Sequence, residues 1–144
     1  MNSAFKIIVI ILLLFNGTGA IYGGGQLMLH PDGSTMELSL DLLKHAPFNN
    51  YLVPGIILFT VNGLFSFYVI ALIVFNFKGF PVYVLAQGII LIFWILVQVI
   101  IIRKVTPLHV LLGTIGILLL LSGWAQKKVQ EHDESRKDNS LEMY

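Results

Sequence analysis

The chain has 144 residues, of which 56% are hydrophobic and 12% charged, where a soluble domain carries about 25% charged residues. Nine Lys/Arg nearly balance eight Asp/Glu, and more than half of these charges fall in the last twenty residues. Such a chain is not a disordered protein, a soluble nucleic-acid binder or an enzyme with a water-exposed surface, and the lack of cysteine excludes disulfides, thiolate metal sites and thiol catalysis.

Four apolar segments, none with an internal Asp, Glu, Lys or Arg beyond its ends, predict membrane-spanning helices over about 4–23, 51–77, 81–102 and 106–125. A span needs roughly twenty mostly apolar residues at 1.5 Å rise each. The runs at 89–96 and 117–121 are apolar all round, with no polar stripe at the helical period. The expected fold is therefore an all-α membrane protein, a four-helix bundle comprising residues 1–124. The first segment also has the form of a signal peptide: Lys6, an apolar run, then the small residues Thr18 and Ala20. Uncharged sequence continues to Leu29, however, and small residues are common where membrane helices touch, so it is read as a retained span.

Residues 24–50 are predicted to form a short extracytoplasmic cap. His30-Pro31-Asp32-Gly33 is a turn signal, because proline fixes φ, aspartate bonds nearby backbone and glycine accepts positive φ. Leu27/Leu29 and Met36/Leu38/Leu40 alternate around it, predicting a β-hairpin with one apolar face. Residues 39–45 then predict one or two helical turns ended by Pro47. Asn49 or Asn50 is placed to cap the second span, with Pro54 tolerated near its first turn. The very short connection around Lys78-Gly79 makes the second and third spans an antiparallel hairpin. Thr106-Pro107 reads as an N-cap followed by a first-turn proline. Residues 126–144 mix both charges and predict a helical extension fraying into a solvated cytoplasmic tail.

Lys6, Lys78, Lys127, Lys128, Arg136 and Lys137 share one side of this topology, against Lys44, Arg103 and Lys104 on the other. The positive-inside rule then places both termini in the cytoplasm and the protein in the cytoplasmic (inner) membrane.

Polar residues within the spans are the first candidates for function. Gln87, Leu91, Trp94 and Gln98 share one face of the third span, Asn62 and Ser66 lie one turn apart in the second, and His109, Gly113, Gly116, Leu120 and Gly123 form a stripe on the fourth. One reading joins Asn62, Ser66, Gln87, Trp94, Gln98 and His109 into an intramembrane polar pocket. The plainer one makes the amides interhelical glue on glycine-rich faces. In the cap, His30, Asp32, Glu37, Asp41 and His45 include one pair, Asp41 and His45, at the i,i+4 spacing that suits a metal. Turn chemistry and the helix dipole explain them without one. Asn16-Gly17-Thr18 matches a glycosylation pattern inside an apolar segment and is read as chance. Phosphate-loop, dinucleotide and nucleophile-elbow motifs do not occur, and Gly23-Gly24-Gly25 reads as a flexible joint rather than a phosphate loop.

Three stretches together carry a resemblance: Gly24-Gly25-Gln26-Leu27 with Pro31 and Gly33; Pro47-Phe48, Tyr51-Leu52 and Pro54-Gly55 followed by Asn62-Gly63; and Phe93-Trp94-Ile95 with Val97-Gln98-Val99. Over most of residues 15–124 the chain resembles a loose family of small bacterial four-helix integral membrane proteins with no assigned activity. The resemblance implies four spans and a short cap, and it carries over no catalytic residue. The expected function is non-enzymatic binding of a partner or apolar ligand through the cap and glycine-rich faces. No cofactor is expected, and the lipid bilayer, a membrane-protein partner or a second copy is the company it would keep. The alternatives are a small transporter or channel subunit built on Asn62, Gln98 and His109, and a membrane-surface metalloenzyme built on the cap.

Overall fold

The computed structural model describes residues 2–143. Its first helix, α1 (Ser3–Leu29), starts where the Asn2 side chain accepts a hydrogen bond from the Ala4 amide at 3.2 Å. It then runs unbroken through Gly23-Gly24-Gly25, which the sequence presents as a joint. In an apolar surrounding a broken helix would leave peptide groups without partners, so the glycines stay helical and serve packing instead. A Cβ on Gly24 would lie only 2.7 Å from the Gly55 carbonyl oxygen.

The predicted β-hairpin is absent, and no strand occurs among the described residues. Leu27 and Leu29 belong to the last turn of α1, Met36 ends a 3₁₀ turn (Ser34–Met36), and Leu40 opens another (Leu40–Leu43). A lone two-stranded hairpin is marginally stable at best. Here Leu27 and Leu38 face inward as part of a plug, in which Leu27, Leu43 and Tyr51 are buried together with Leu38, Ala46 and Ile101 against them, while Leu29, Met36 and Leu40 stay exposed. The turn at 30–33 forms as predicted, with Gly33 at φ 78° and its amide donating to the His30 carbonyl at 3.0 Å.

The second span comprises α2 (Leu52–Ile57), a π-helical segment (Leu58–Leu64) and α3 (Phe65–Val74). The Asn50 carboxamide accepts from the Leu52 amide at 3.0 Å, the predicted cap. A short link leads to α4 (Phe80–Ile102), which opens with Pro81 in its first turn and ends where Arg103 adopts φ 53°. In α5 (Pro107–Leu141) the Thr106 hydroxyl accepts from the His109 amide while the His109 ring faces the Thr106 amide, a reciprocal cap. The helix does not fray soon after residue 126. It continues to Leu141 with its charged residues exposed and a Lys127–Glu131 pair at 3.7 Å.

Four helices are thus long and apolar enough to cross a membrane: α1, the composite Leu52–Val74, α4 and α5. Outward-facing Ile7, Ile11, Val74, Phe93, Ile100 and Leu121 make an apolar surface too extensive for a water-facing monomer. The four associate as two close pairs, α1 with the composite helix and α4 with α5. Glycines allow both approaches: a Cβ on Gly55 would meet Leu27 Cβ at 2.8 Å, and one on Gly88 would meet the Gly116 carbonyl oxygen at 2.8 Å and the Leu120 amide nitrogen closer still. The pairs join through an aliphatic core of Val9, Leu13, Val69, Ile73, Val84, Leu91, Ile115 and Leu119. This core lies mainly toward the end of the bundle from which the charged extension projects. Toward the cap end the pairs separate.

Candidate functional site

Three helices contribute to a buried polar cluster where the pairs begin to part. From α1, Asn16 Nδ2 donates to Ser66 Oγ at 2.9 Å and to the Asn62 carbonyl at 3.3 Å. Ser66 Oγ donates to the same carbonyl at 2.7 Å. From α4, Gln87 Nε2 lies 3.4 Å from Asn62 Oδ1. All four residues are buried: Asn16 is 3% exposed, Asn62 1%, and Ser66 and Gln87 are fully enclosed. Two atoms of this cluster, Asn62 Nδ2 and Gln87 Oε1, have no hydrogen-bond partner among the described residues. The large majority of buried polar atoms are paired, so an orphan donor and an orphan acceptor in adjacent amides mark the cluster as incompletely satisfied.

Asn62 sits within the π-helical segment, a helical irregularity frequent at functional sites. Just before it, Thr60 Oγ1 donates back to the Ile56 carbonyl at 2.7 Å, a side-chain bond that competes with regular helix geometry.

Asn62 also borders a cavity of about 490 Å³ between the composite helix and α4. Its walls are Ile57, Val61, Ile89, Phe93, Trp94 and Val97, and the cap plug (Leu38, Leu43, Phe48, Tyr51) roofs it. Tyr51 is fixed there by its phenol donating to the Ser39 carbonyl at 2.7 Å and its amide donating to the Pro31 carbonyl at 2.8 Å. Among the described residues, no Lys, Arg, His, Asp or Glu faces this cavity. Phe93 and Ile89, 67% and 50% exposed, stand at its lateral edge. A second cavity of about 260 Å³ lies between α1 and α5. Trp94 and Gln98 line both, so they form the partition. Gln98 is half-buried and makes no side-chain hydrogen bond among the described residues.

The structure therefore gathers Asn62, Ser66 and Gln87 into one cluster and sets Trp94 and Gln98 on the cavity walls. His109 lies apart, its Nδ1 at 3.1 Å from both the amide and the hydroxyl of Thr106 at the start of α5. Within the glycine stripe of α5, Gly116 and Gly123 meet α4, whereas a Cβ on Gly113 would meet nothing within 4 Å. Asn16, read from sequence as a chance glycosylation match, donates two of the cluster's four hydrogen bonds. The signal was available: Val9, Leu13, Asn16, Ala20 and Leu27 recur at helical spacing, and all are buried.

The cap residues do not converge. No group of three His, Asp or Glu able to hold a metal forms among the described residues. Asp32 accepts from the Ser34 amide at 3.2 Å and hydroxyl at 2.8 Å. Those bonds hold its carboxyl below the ordinary aspartate range. Asp41 pairs with Lys44 at 3.3 Å in the open.

No protein-family model matches this chain, and neither a curated protein nor a solved structure is detectably similar to it.

Proposed function

We propose that the chain is a non-enzymatic integral membrane protein that takes an apolar ligand from the bilayer into the cavity between the composite helix and α4. The observation that carries this reading is the cavity itself. At about 490 Å³ it lies within the range of about 300–1,000 Å³ typical of ligand sites, which are mostly apolar with a few placed polar groups. Ile89 and Phe93 at its lateral edge set the opening at bilayer depth, so a ligand enters from hydrocarbon without crossing water. The absence of reactive groups supports binding over chemistry. The polar side chains on its walls are two carboxamides, an indole and a phenol, which neither attack nor exchange protons readily near neutral pH.

In this reading the protein belongs with the small bacterial four-helix membrane proteins it resembles and resides in the cytoplasmic membrane. Both termini face the cytoplasm and the cap faces outward, as the Lys and Arg distribution favours. The glycine-rich faces do not serve the ligand, because Gly24, Gly55, Gly88, Gly116 and Gly123 are already packed within the bundle. The transporter alternative draws on the buried amides, but the packed core around Leu13, Ile73 and Leu119 offers no wet route to the far side.

The test is mass spectrometry of protein extracted gently with its lipid. The wild type is expected to retain a chain-bearing molecule that the Val97→Trp variant, filling the cavity, loses while its thermal unfolding stays within a few degrees. Equal retention by both proteins would place the ligand elsewhere and defeat the proposal.

A further inference from the structure

We infer that the cavity holds one acyl chain of an anionic phospholipid, whose phosphate lies against Arg103 and Lys104 at the end of α4. This inference rests on the cavity reading above and names the class of molecule that binds there.

The walls decide which part of the molecule lies inside. Among the described residues their one ionisable group is the Tyr51 phenol, already committed to the Ser39 carbonyl. The Asn62 amide nitrogen is enclosed by the bundle and offers the cavity no donor. Gln98 is the remaining amide, on the partition with the second cavity. Aliphatic and aromatic side chains make up nearly all the rest, so a hydrocarbon chain fits inside and a polar head belongs outside. Along α4 the wall runs from Ile89 to Ile102, roughly 20 Å at the helical rise of 1.5 Å per residue. Half the ~30 Å hydrocarbon core is about 15 Å, so the cavity reaches from the cap-side interface to a little past the middle of the membrane. That is the course of an acyl chain in one leaflet, entered sideways past Phe93 and Ile89.

The head then belongs at the end of the cavity nearest water, and the protein is basic there. Ile101 and Ile102 line the wall, and Arg103 and Lys104 follow directly, both exposed. Neither is in a salt bridge among the described residues, whereas Lys44, next to the Leu43 that packs with Ile101, pairs with Asp41. Cations at a helix C-terminus also offset its dipole, a role that needs no ligand. Arg103, however, stands at φ 53°, a left-handed conformation that glycine or asparagine adopts more readily, so the backbone gives no reason for arginine at this position. Both residues also run against the Lys and Arg distribution that assigns the cap to the outer side. A phosphate supplies the reason that backbone and topology do not. The guanidinium fork matches its oxygens two at a time, and the lysine adds a point charge beside it.

The experiment places the full-length protein in bilayers doped with phosphatidylglycerol or, separately, phosphatidylcholine of the same chains, each carrying a photoactivated diazirine near the end of one chain. Peptide mass spectrometry locates the label, referred to the outward-facing Leu96 that any surrounding lipid reaches. The half-buried Ile57, Ile90 and Val97 line the first cavity alone, and Leu58 and Leu112 the second alone, so the two are told apart. A free phosphate at the basic pair gives no such label, because the diazirine sits on the chain. Phosphatidylglycerol is expected to label the first cavity about tenfold more than phosphatidylcholine, an increment of the size that two interfacial cations give. The Arg103→Asn/Lys104→Gln variant, whose asparagine suits the left-handed backbone, is expected to fall to the phosphatidylcholine level. Lys127→Gln/Lys128→Gln, at the other end of the bundle, is expected to keep the excess. The wild-type comparison of the two lipids decides alone if the first variant does not fold. Equal labelling by the two lipids, an undiminished excess in the first variant, or an equal fall in both variants overturns the inference and leaves the cavity reading intact. Labelling of the first cavity by neither lipid defeats the cavity reading itself.

Discussion

Near the charged extension the two helix pairs are fused by aliphatic side chains, and Leu13, Val69, Ile73 and Leu119 are at most 1% exposed. Near the cap the same helices leave two cavities divided by Trp94 and Gln98. Close glycine contacts occur at both ends of the bundle, Gly24–Gly55 in one pair toward the cap and Gly123–Leu85 in the other toward the extension. Pairing and fusing are therefore separate tasks. Glycine sets how near two helices lie, and the side chains between the pairs decide whether the space between them is filled. Aliphatic residues fill it in one half. A large ring and one long amide stand across it in the other and leave space beside them.

The largest test of this separation is at the pairing contacts. Gly88→Val drives a branched side chain into the α5 backbone at Leu120 and Gly116, and overpacking of this kind should cost about 3 kcal/mol or more. Gly113→Ala, facing open space, should change stability by less than about 0.5 kcal/mol. Reversible unfolding in mixed micelles compares the two. If they cost the same, glycine is not what pairs the helices.

The next test bears on the fusing core. Leu13→Ala, fully buried between the pairs, should cost about 2 kcal/mol through the cavity it creates. Val97→Ala, on a wall already facing a cavity, should cost less than about 1 kcal/mol because it removes fewer contacts. The same unfolding assay reads both, and a larger loss at Val97 would reverse the assignment of filled and unfilled halves.

The smallest expected effect lies at the boundary between them. Asn16→Ala removes two hydrogen bonds to the composite helix. Interhelical bonds of this type contribute about 0.6 kcal/mol on average in membranes, so a loss near 1 kcal/mol is expected. A double-mutant cycle with Ser66→Ala should recover about half of it as coupling. Zero coupling would mean that the 2.9 Å contact stabilises nothing.

Much of the fold was legible because its causes are local. A threonine before a proline, an asparagine before an apolar run and a glycine at positive φ act within four residues, and each appears where the sequence places it. Four long apolar segments likewise need no partner to be recognised. The β-hairpin misled because alternation around a turn describes a strand only if a second strand is there to receive it. Here the leucines at 27, 38 and 43 turn inward against Tyr51, a residue eight or more positions away. The glycine triplet misled for a related reason: its meaning depends on Gly55, in another helix.

The site was legible in part. Asn62, Ser66 and Gln87 lie on the faces that helical spacing assigns, and they do meet. His109 was placed beside them by its stripe, yet the first turn of α5 uses it locally. Asn16 went unrecognised because a glycosylation triplet was weighed before the helical period of its neighbours. The π-helical turn left no mark in the sequence. Within it the Asn62 carbonyl accepts from Asn16 of α1, a contact between helices that a linear pattern does not record.

The uninterrupted length of α5 has a mechanical consequence. Beyond Gln126 the rod extends roughly 22 Å further to Leu141 at the ordinary helical rise. A stiff lever seated against α4 at Gly116 magnifies angle into distance: a rocking of ~5° there sweeps residue 141 through ~3 Å, given its ~38 Å arm. A spin label on Ser140 would thus act as the needle of a gauge, registering shifts between the helix pairs too slight to detect where they originate.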